Sequence, residues 1–231
     1  MNFYDVAGTV NTAFILVSLY GVFSQLKKIG RRKRTSDNSV RPTALLSINQ
    51  ITVSYLAYLS FFIYGYSIEP FNHYIVWPRL IAALLVLQII KEILIDRKSL
   101  TAITSFSFAA GSLVLAVVGL FYGETIADEG KVISTSIIFV VSVLIAQGYF
   151  HQIRLIIKSG QTGAVDLKMS QFILMMDIST IVFALSMGLK EGWPLLVLAI
   201  TSGVTKLIIM YLFKWVATSP LAEKRRISEL A

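Results

Sequence analysis

Two ionisable side chains lie inside long apolar stretches of this sequence. Asp177 follows the residues LMM, and Lys206 lies in the apolar stretch 194–217. Placing a charged side chain at the centre of a bilayer costs at least about 2.5–3.5 kcal/mol, so such a residue faces the protein interior and usually has a function. An acid close to a base can bind the charged groups of a solute or transfer a proton. The alternative is a static salt bridge that locks two helices together.

Four amide side chains also occupy apolar segments, at a depth similar to that of Asp177 and Lys206. They are Asn49, Gln50, Gln88 and Gln147. Each one alone is typical of an interhelical hydrogen bond, which is worth about 0.6 kcal/mol in a membrane. As a set, they favour the hydrogen-bonding wall of a small polar site, and we predict that they line one.

The composition is typical of a membrane protein. Hydrophobic residues make up 55% of the 231 residues and charged residues 15%, against about 25% charged residues in soluble domains. A membrane-crossing helix needs about 20 mostly apolar residues. We predict seven such segments: 6–26, 44–66, 74–95, 100–122, 132–157, 169–189 and 194–217.

The third segment is the weakest of the seven. Arg79 and Lys91 have to extend to opposite membrane interfaces if it is to cross. A re-entrant or interfacial segment is the alternative for this stretch.

The basic residues predict the orientation. With seven spans, 17 of the 21 Lys and Arg residues fall on one side of the membrane, and Arg79, Lys131 and Lys190 on the other. By the positive-inside rule, the N-terminus is outside and the C-terminus is cytoplasmic, in what we expect to be the plasma (inner) membrane. The net charge of +8 then reflects cytoplasmic loops rather than nucleic-acid binding.

Other kinds of chemistry find no positive support. The chain has no cysteine, which excludes disulfides and thiolate metal sites. His73 and His151 fall on opposite sides of the predicted membrane, so they do not form one metal site. No phosphate-binding loop or nucleophile–base set is evident. We therefore predict no enzymatic activity, no metal and no cofactor.

A short pattern occurs twice. Residues 21–28 read GVFSQLKK and residues 148–155 read GYFHQIRL, so that Phe23 and Phe150 lie 127 positions apart. Each copy is followed by a loop, a span and a glycine, Gly65 in the first copy and Gly188 in the second. The chain then consists of three spans, one connector span and three further spans. Because a single span connects them, both triplets cross the membrane in the same direction. That arrangement is a parallel repeat about an axis along the membrane normal.

The repeat resembles the PQ-loop family, which includes the SWEET sugar transporters and the lysosomal cystine transporter cystinosin. The second copy, YFHQIRLIIKSGQTGAVDLKMSQFILMMD, is similar to the motif region of that family. Ser24-Gln25 and His151-Gln152 stand in the place of the family's Pro-Gln pairs, so the motif prolines are replaced by Ser24 and His151. The resemblance implies that these four residues form a gate and that Asp177 matches a proton-coupling aspartate.

The resemblance also implies an all-α fold of seven transmembrane helices in a 3+1+3 arrangement. The first three-helix repeat would cover 1–99, with its motif at 23–26, and a connector helix and loop would cover 100–131. The second repeat would cover 132–217, with its motif at 150–153, followed by a cytoplasmic tail at 218–231.

The function expected from this resemblance is secondary transport of a small polar solute, an amino acid or a sugar, by alternating access. Proton coupling through Asp177 and homo-oligomer formation both stay open. The alternatives are a seven-helix sorting receptor or a lipid-sugar accessory protein of the same fold. A retinal-binding photoreceptor is less favoured, because the third span lacks the carboxylate counterion that such proteins carry. The expected partners are the solute, protons and the lipid bilayer, without nucleic acid.

Overall fold

The computed structural model describes residues 2–35, 43, 46–122, 127–162 and 167–230. All regular secondary structure in these ranges is helical. In chain order the helices are α1 (Phe3–Thr35), α2 (Ile48–Ser67), α3 (His73–Arg97), α4 (Leu100–Phe121), α5 (Ala127–Ser159), α6 (Leu167–Ser186), α7 (Leu189–Thr218) and α8 (Pro220–Leu230).

Four of the described helices contain a stretch long and apolar enough to cross a membrane. These stretches are Phe3–Arg31, Leu100–Phe121, Val132–Phe150 and Leu189–Thr218. A shorter apolar stretch, Ser170–Ser186, lies in α6. The prediction of a helical, membrane-embedded protein is confirmed. The other predicted spans coincide with α2, α3 and α6, and their crossing stays a prediction.

The chain divides into two compact units. One consists of Met1–Phe14 together with Ser142–Ala231, and the other of Ile15–Val141. We call them the terminal unit and the central unit. The first part of α1 and the last part of α5 therefore belong to the terminal unit, with α6, α7 and α8.

The core of the central unit lies between α2, α3 and α4. Tyr55 is fully buried there, and its hydroxyl donates a hydrogen bond of 2.6 Å to the carbonyl of Ala109 on α4. A Cβ on Gly65 would lie 2.8 Å from a methyl group of Val76, so glycine allows α2 and α3 to approach closely. Polar side chains cap the starts of these helices: Ser47, Asn72 and Ser99.

Arg79 differs from expectation. Instead of extending to a membrane interface, its side chain is only 4% exposed. The guanidinium carbon lies 5.8 Å from the ring centroid of Tyr58 and 5.2 Å from that of Phe61, both on α2. Cation–π contacts of this kind stabilise a desolvated guanidinium by about 2 kcal/mol.

In the terminal unit, the first part of α1 runs antiparallel to α6. The rings of Tyr4 and Phe183 are 5.5 Å apart, whereas Asn11 accepts a hydrogen bond of 2.9 Å from Thr180. Residue numbers thus rise along α1 as they fall along α6. On the α7 side of α6, a Cβ on Gly192 would lie 2.1 Å from the carbonyl oxygen of Ala184, so α6 and α7 touch backbone to backbone.

The C-terminal helix α8, predicted only as a tail, packs against the end of α5. Gly160 has a φ of +63°, and a Cβ there would lie 2.2 Å from the carbonyl oxygen of Ala222. The Arg225 guanidinium donates to the carbonyl of Ile157 and lies 5.9 Å from the ring centroid of Trp215. Arg225 thus caps α5, because its charge meets the negative end of that helix dipole.

Two helix pairs repeat the same design. Both α2 and α6 have 20 residues. Trp77-Pro78 are the fifth and sixth residues of α3, and Trp193-Pro194 are the fifth and sixth residues of α7. In each pair a glycine makes a close contact between the eighteenth residue of the first helix and the fourth residue of the second, with a Val76 methyl group in α2–α3 and with backbone in α6–α7. The pairs α2–α3 and α6–α7 are therefore two copies of one helical hairpin.

Candidate functional site

Lys206 is buried in the middle of α7. Its side chain belongs to the terminal unit and the residue is 7% exposed. The ammonium nitrogen lies 4.3 Å from the ring centroid of Tyr149 on α5. The face of an aromatic ring attracts a cation, and the attraction is worth about 2 kcal/mol when the pair is desolvated.

Asp177 lies on α6 and is 4% exposed. Its Cβ would be 3.7 Å from a Cβ placed on Gly203, which is three residues before Lys206 on α7. The absence of a side chain at Gly203 leaves the carboxylate facing α7, where it interacts electrostatically with Lys206. The acid and the base singled out in the sequence are thus on neighbouring helices.

A second polar group in this unit was missed in the sequence. Asn11 of α1 is 1% exposed, and its Oδ1 lies 3.1 Å from Ser179 Oγ and 2.9 Å from Thr180 Oγ1 of α6. Among the described residues, Asn11 Nδ2 is buried without a hydrogen-bond partner. A buried donor left unpaired costs about 1–3 kcal/mol. The sequence does show a polar residue inside the first apolar segment, but the residues around Asn11 in the sequence do not reveal which helix it contacts.

The four amides predicted to line the site are all exposed. Asn49 and Gln50 lie in the first turn of α2, where the backbone N–H of Gln50 bonds Ser47 Oγ at 3.4 Å. Gln88 lies on α3 of the central unit, and Gln147 on α5 of the terminal unit. Gln147 is not part of the buried group around Lys206. Whether the four line a common site stays a prediction.

The motif residues lie inside continuous helices. Ser24 and Gln25 are half-buried in α1, which continues to Thr35, and α5 continues beyond His151 and Gln152 to Ser159. These residues therefore do not lie at helix ends. Without the motif prolines, nothing removes a backbone hydrogen bond at these positions, so the helices proceed. The side chains of His151 and Gln152 lie outside the described part of the structure, and gating by the four residues stays a prediction.

Within the described ranges, no three His, Asp or Glu side chains lie together as a metal site. No protein-family model and no curated protein matches the chain.

The buried groups of the terminal unit offer complementary chemistry. Lys206 supplies a cation, Asp177 an anion and Tyr149 an aromatic face. Asn11 and the hydroxyls on α6 add neutral hydrogen-bonding groups. Groups of these kinds are chemically suited to small solutes that carry both charge and hydrogen-bonding atoms.

Proposed function

We propose that this protein is a secondary transporter of a small polar solute. The observation that carries the proposal is the buried Asp177–Lys206 group on two packed helices, one of which is apolar and long enough to cross a membrane. Ionisable residues inside membrane segments mark solute or proton pathways more often than they serve packing.

The expected energetics favour a functional role of the Asp177–Lys206 pair over a purely structural one. Two apolar side chains of similar volume in place of a buried ion pair are often neutral or stabilise a protein by about 1–4 kcal/mol. A pair that only held α6 against α7 could therefore be replaced without loss. The close backbone contact at Gly192 already joins these helices.

The repeated hairpin supports alternating access as the mechanism. Transporters built from two similar halves use relative motion of those halves for alternating access. We propose seven spans in a 3+1+3 arrangement, with α4 as the connector, the N-terminus outside and the C-terminus in the cytoplasm. Asp177 would take up the driving proton in a coupled cycle.

The test is uptake into proteoliposomes. Purified protein is first screened by thermal shift at two pH values against pools of amino acids, hexoses, disaccharides and vitamins. Every solute that raises the melting temperature is then offered, radiolabelled, to proteoliposomes and to protein-free liposomes. Uptake above the protein-free control that is lost in the double variant Lys206→Met with Asp177→Leu supports transport. A solute that binds without uptake or exchange identifies a receptor of this fold instead.

A further inference from the structure

The Asn11 side chain reaches from α1 to a polar turn of α6. Both of its oxygen contacts are hydroxyls, Ser179 Oγ at 3.1 Å and Thr180 Oγ1 at 2.9 Å. Each of these hydroxyls also lies close to the carbonyl of Met176, at 2.8 Å and 2.9 Å respectively. A hydroxyl has one proton, which Ser179 and Thr180 donate to Asn11 and could donate instead to the carbonyl one turn back, as such residues do in any helix. The two hydroxyls therefore stay satisfied without Asn11.

The amide nitrogen of Asn11, unlike its oxygen, lacks a hydrogen-bond partner among the described residues. Nδ2 carries two N–H donors, it is buried, and it has no acceptor among the described residues. Burial without a hydrogen bond disfavours the folded state, and the penalty grows in surroundings of low dielectric constant. Because Asn11 is not needed to satisfy α6, an apolar residue of similar size would avoid this penalty.

The amide lies near the buried charges along α6. Thr180 is three residues from Asp177, which corresponds to ~4.5 Å along a helix. Asn11, Asp177 and Lys206 all belong to the terminal unit. The buried polar groups of this unit therefore include two kinds of donor, an ammonium and an amide N–H, and one carboxylate.

We propose that Asn11 is a substrate-binding residue whose Nδ2 donates a hydrogen bond to an acceptor oxygen of the solute, and that the solute is an α-amino acid. The proposal rests on the transport function proposed above. The solute carboxylate accepts from Asn11 and from Lys206, while its ammonium meets Asp177. A sugar offers no charge to either ionisable residue and is the poorer fit.

The test compares Asn11→Leu with wild type in two measurements, the melting temperature without solute and the apparent affinity for an amino-acid pool. Leucine has a similar size and no donor, so the melting temperature without solute should equal or exceed that of wild type. The affinity for the pool should fall about tenfold or more, as expected when one hydrogen bond to a charged acceptor is lost. Gln171→Leu, which removes an exposed amide on α6, is the matched control and should change neither measurement.

The other outcomes overturn the proposal in distinguishable ways. If Asn11→Leu melts well below wild type, Asn11 is a structural contact between α1 and α6. If it is stable and binds the pool as tightly as wild type does, Asn11 does not touch the solute. If only the hexose and disaccharide pools stabilise wild type, the substrate class is wrong although transport stands. If wild type responds to no pool and shows no uptake, the transport function fails and this proposal fails with it.

Discussion

Replacing Lys206 by Met takes a positive charge out of a site where the neighbouring carboxylate cannot reach water. Asp177 is 4% exposed and Lys206 is 7% exposed, so the remaining acid keeps its burial and loses its ammonium. Breaking a buried pair from one side costs about 3–5 kcal/mol. For a chain of this length, each 1 kcal/mol lowers the melting temperature by roughly 2–4 °C. Lys206→Met should therefore melt about 6–20 °C below wild type.

The double variant Lys206→Met with Asp177→Leu should recover most of that loss. It leaves two apolar side chains of similar volume, for which the expected change is close to zero or stabilising. Unfolding can be followed through the three tryptophans, because the chain has no cysteine for a thiol-reactive dye. Lys190→Met, at an exposed position in the first turn of α7, controls for loss of a lysine elsewhere.

The melting temperatures of the single and double variants show whether Asp177 and Lys206 interact with each other. If the double variant melts as low as the two single losses added together, Asp177 and Lys206 do not depend on each other. If the double variant regains both stability and transport, the pair is only structural. The proposed function requires recovered stability with transport still absent.

Three further results are expected. With the native chain free of cysteine, Tyr122→Cys should react with an impermeant thiol reagent from outside the cell and Lys224→Cys should not; the reverse pattern would overturn the proposed orientation. Asp177→Asn should abolish accumulation against a gradient while counterflow exchange persists, as isotope uptake into preloaded proteoliposomes would reveal; retained accumulation would exclude this acid as the coupling residue. Gly192→Ala should destabilise the protein by about 1–3 kcal/mol, because its Cβ would meet backbone on α6. Gly111→Ala, with open space around it, is the matched control, and equal melting temperatures would refute the close packing.

The helices themselves could be predicted from the sequence. Each of the seven apolar segments coincides with a helix, because a run of about 20 apolar residues leaves the backbone few alternatives in a membrane. The proximity of Asp177 and Lys206 could be predicted too. A short connection makes α6 and α7 antiparallel neighbours, and the two residues lie at similar predicted depths in the membrane.

What could not be predicted depends on contacts between distant parts of the chain. Asn11 looks like any polar residue of a span until α6 is packed beside it. The sequence predicts that Arg79 extends to an interface so that the third segment can cross, but two rings of α2 cover it. Helix α8 has no apolar run to predict it, and its position depends on the close fit between Gly160 and Ala222.

The contact between α1 and α6 also sets an order for biosynthesis. Asn11 leaves the ribosome before its partner Ser179, which follows 168 residues later. At about 5–20 residues per second, roughly 8–34 s pass between the two events. During that interval the amide sits in a newly inserted helix that has no α6 to meet. The terminal unit can therefore close only after α6 has been synthesised.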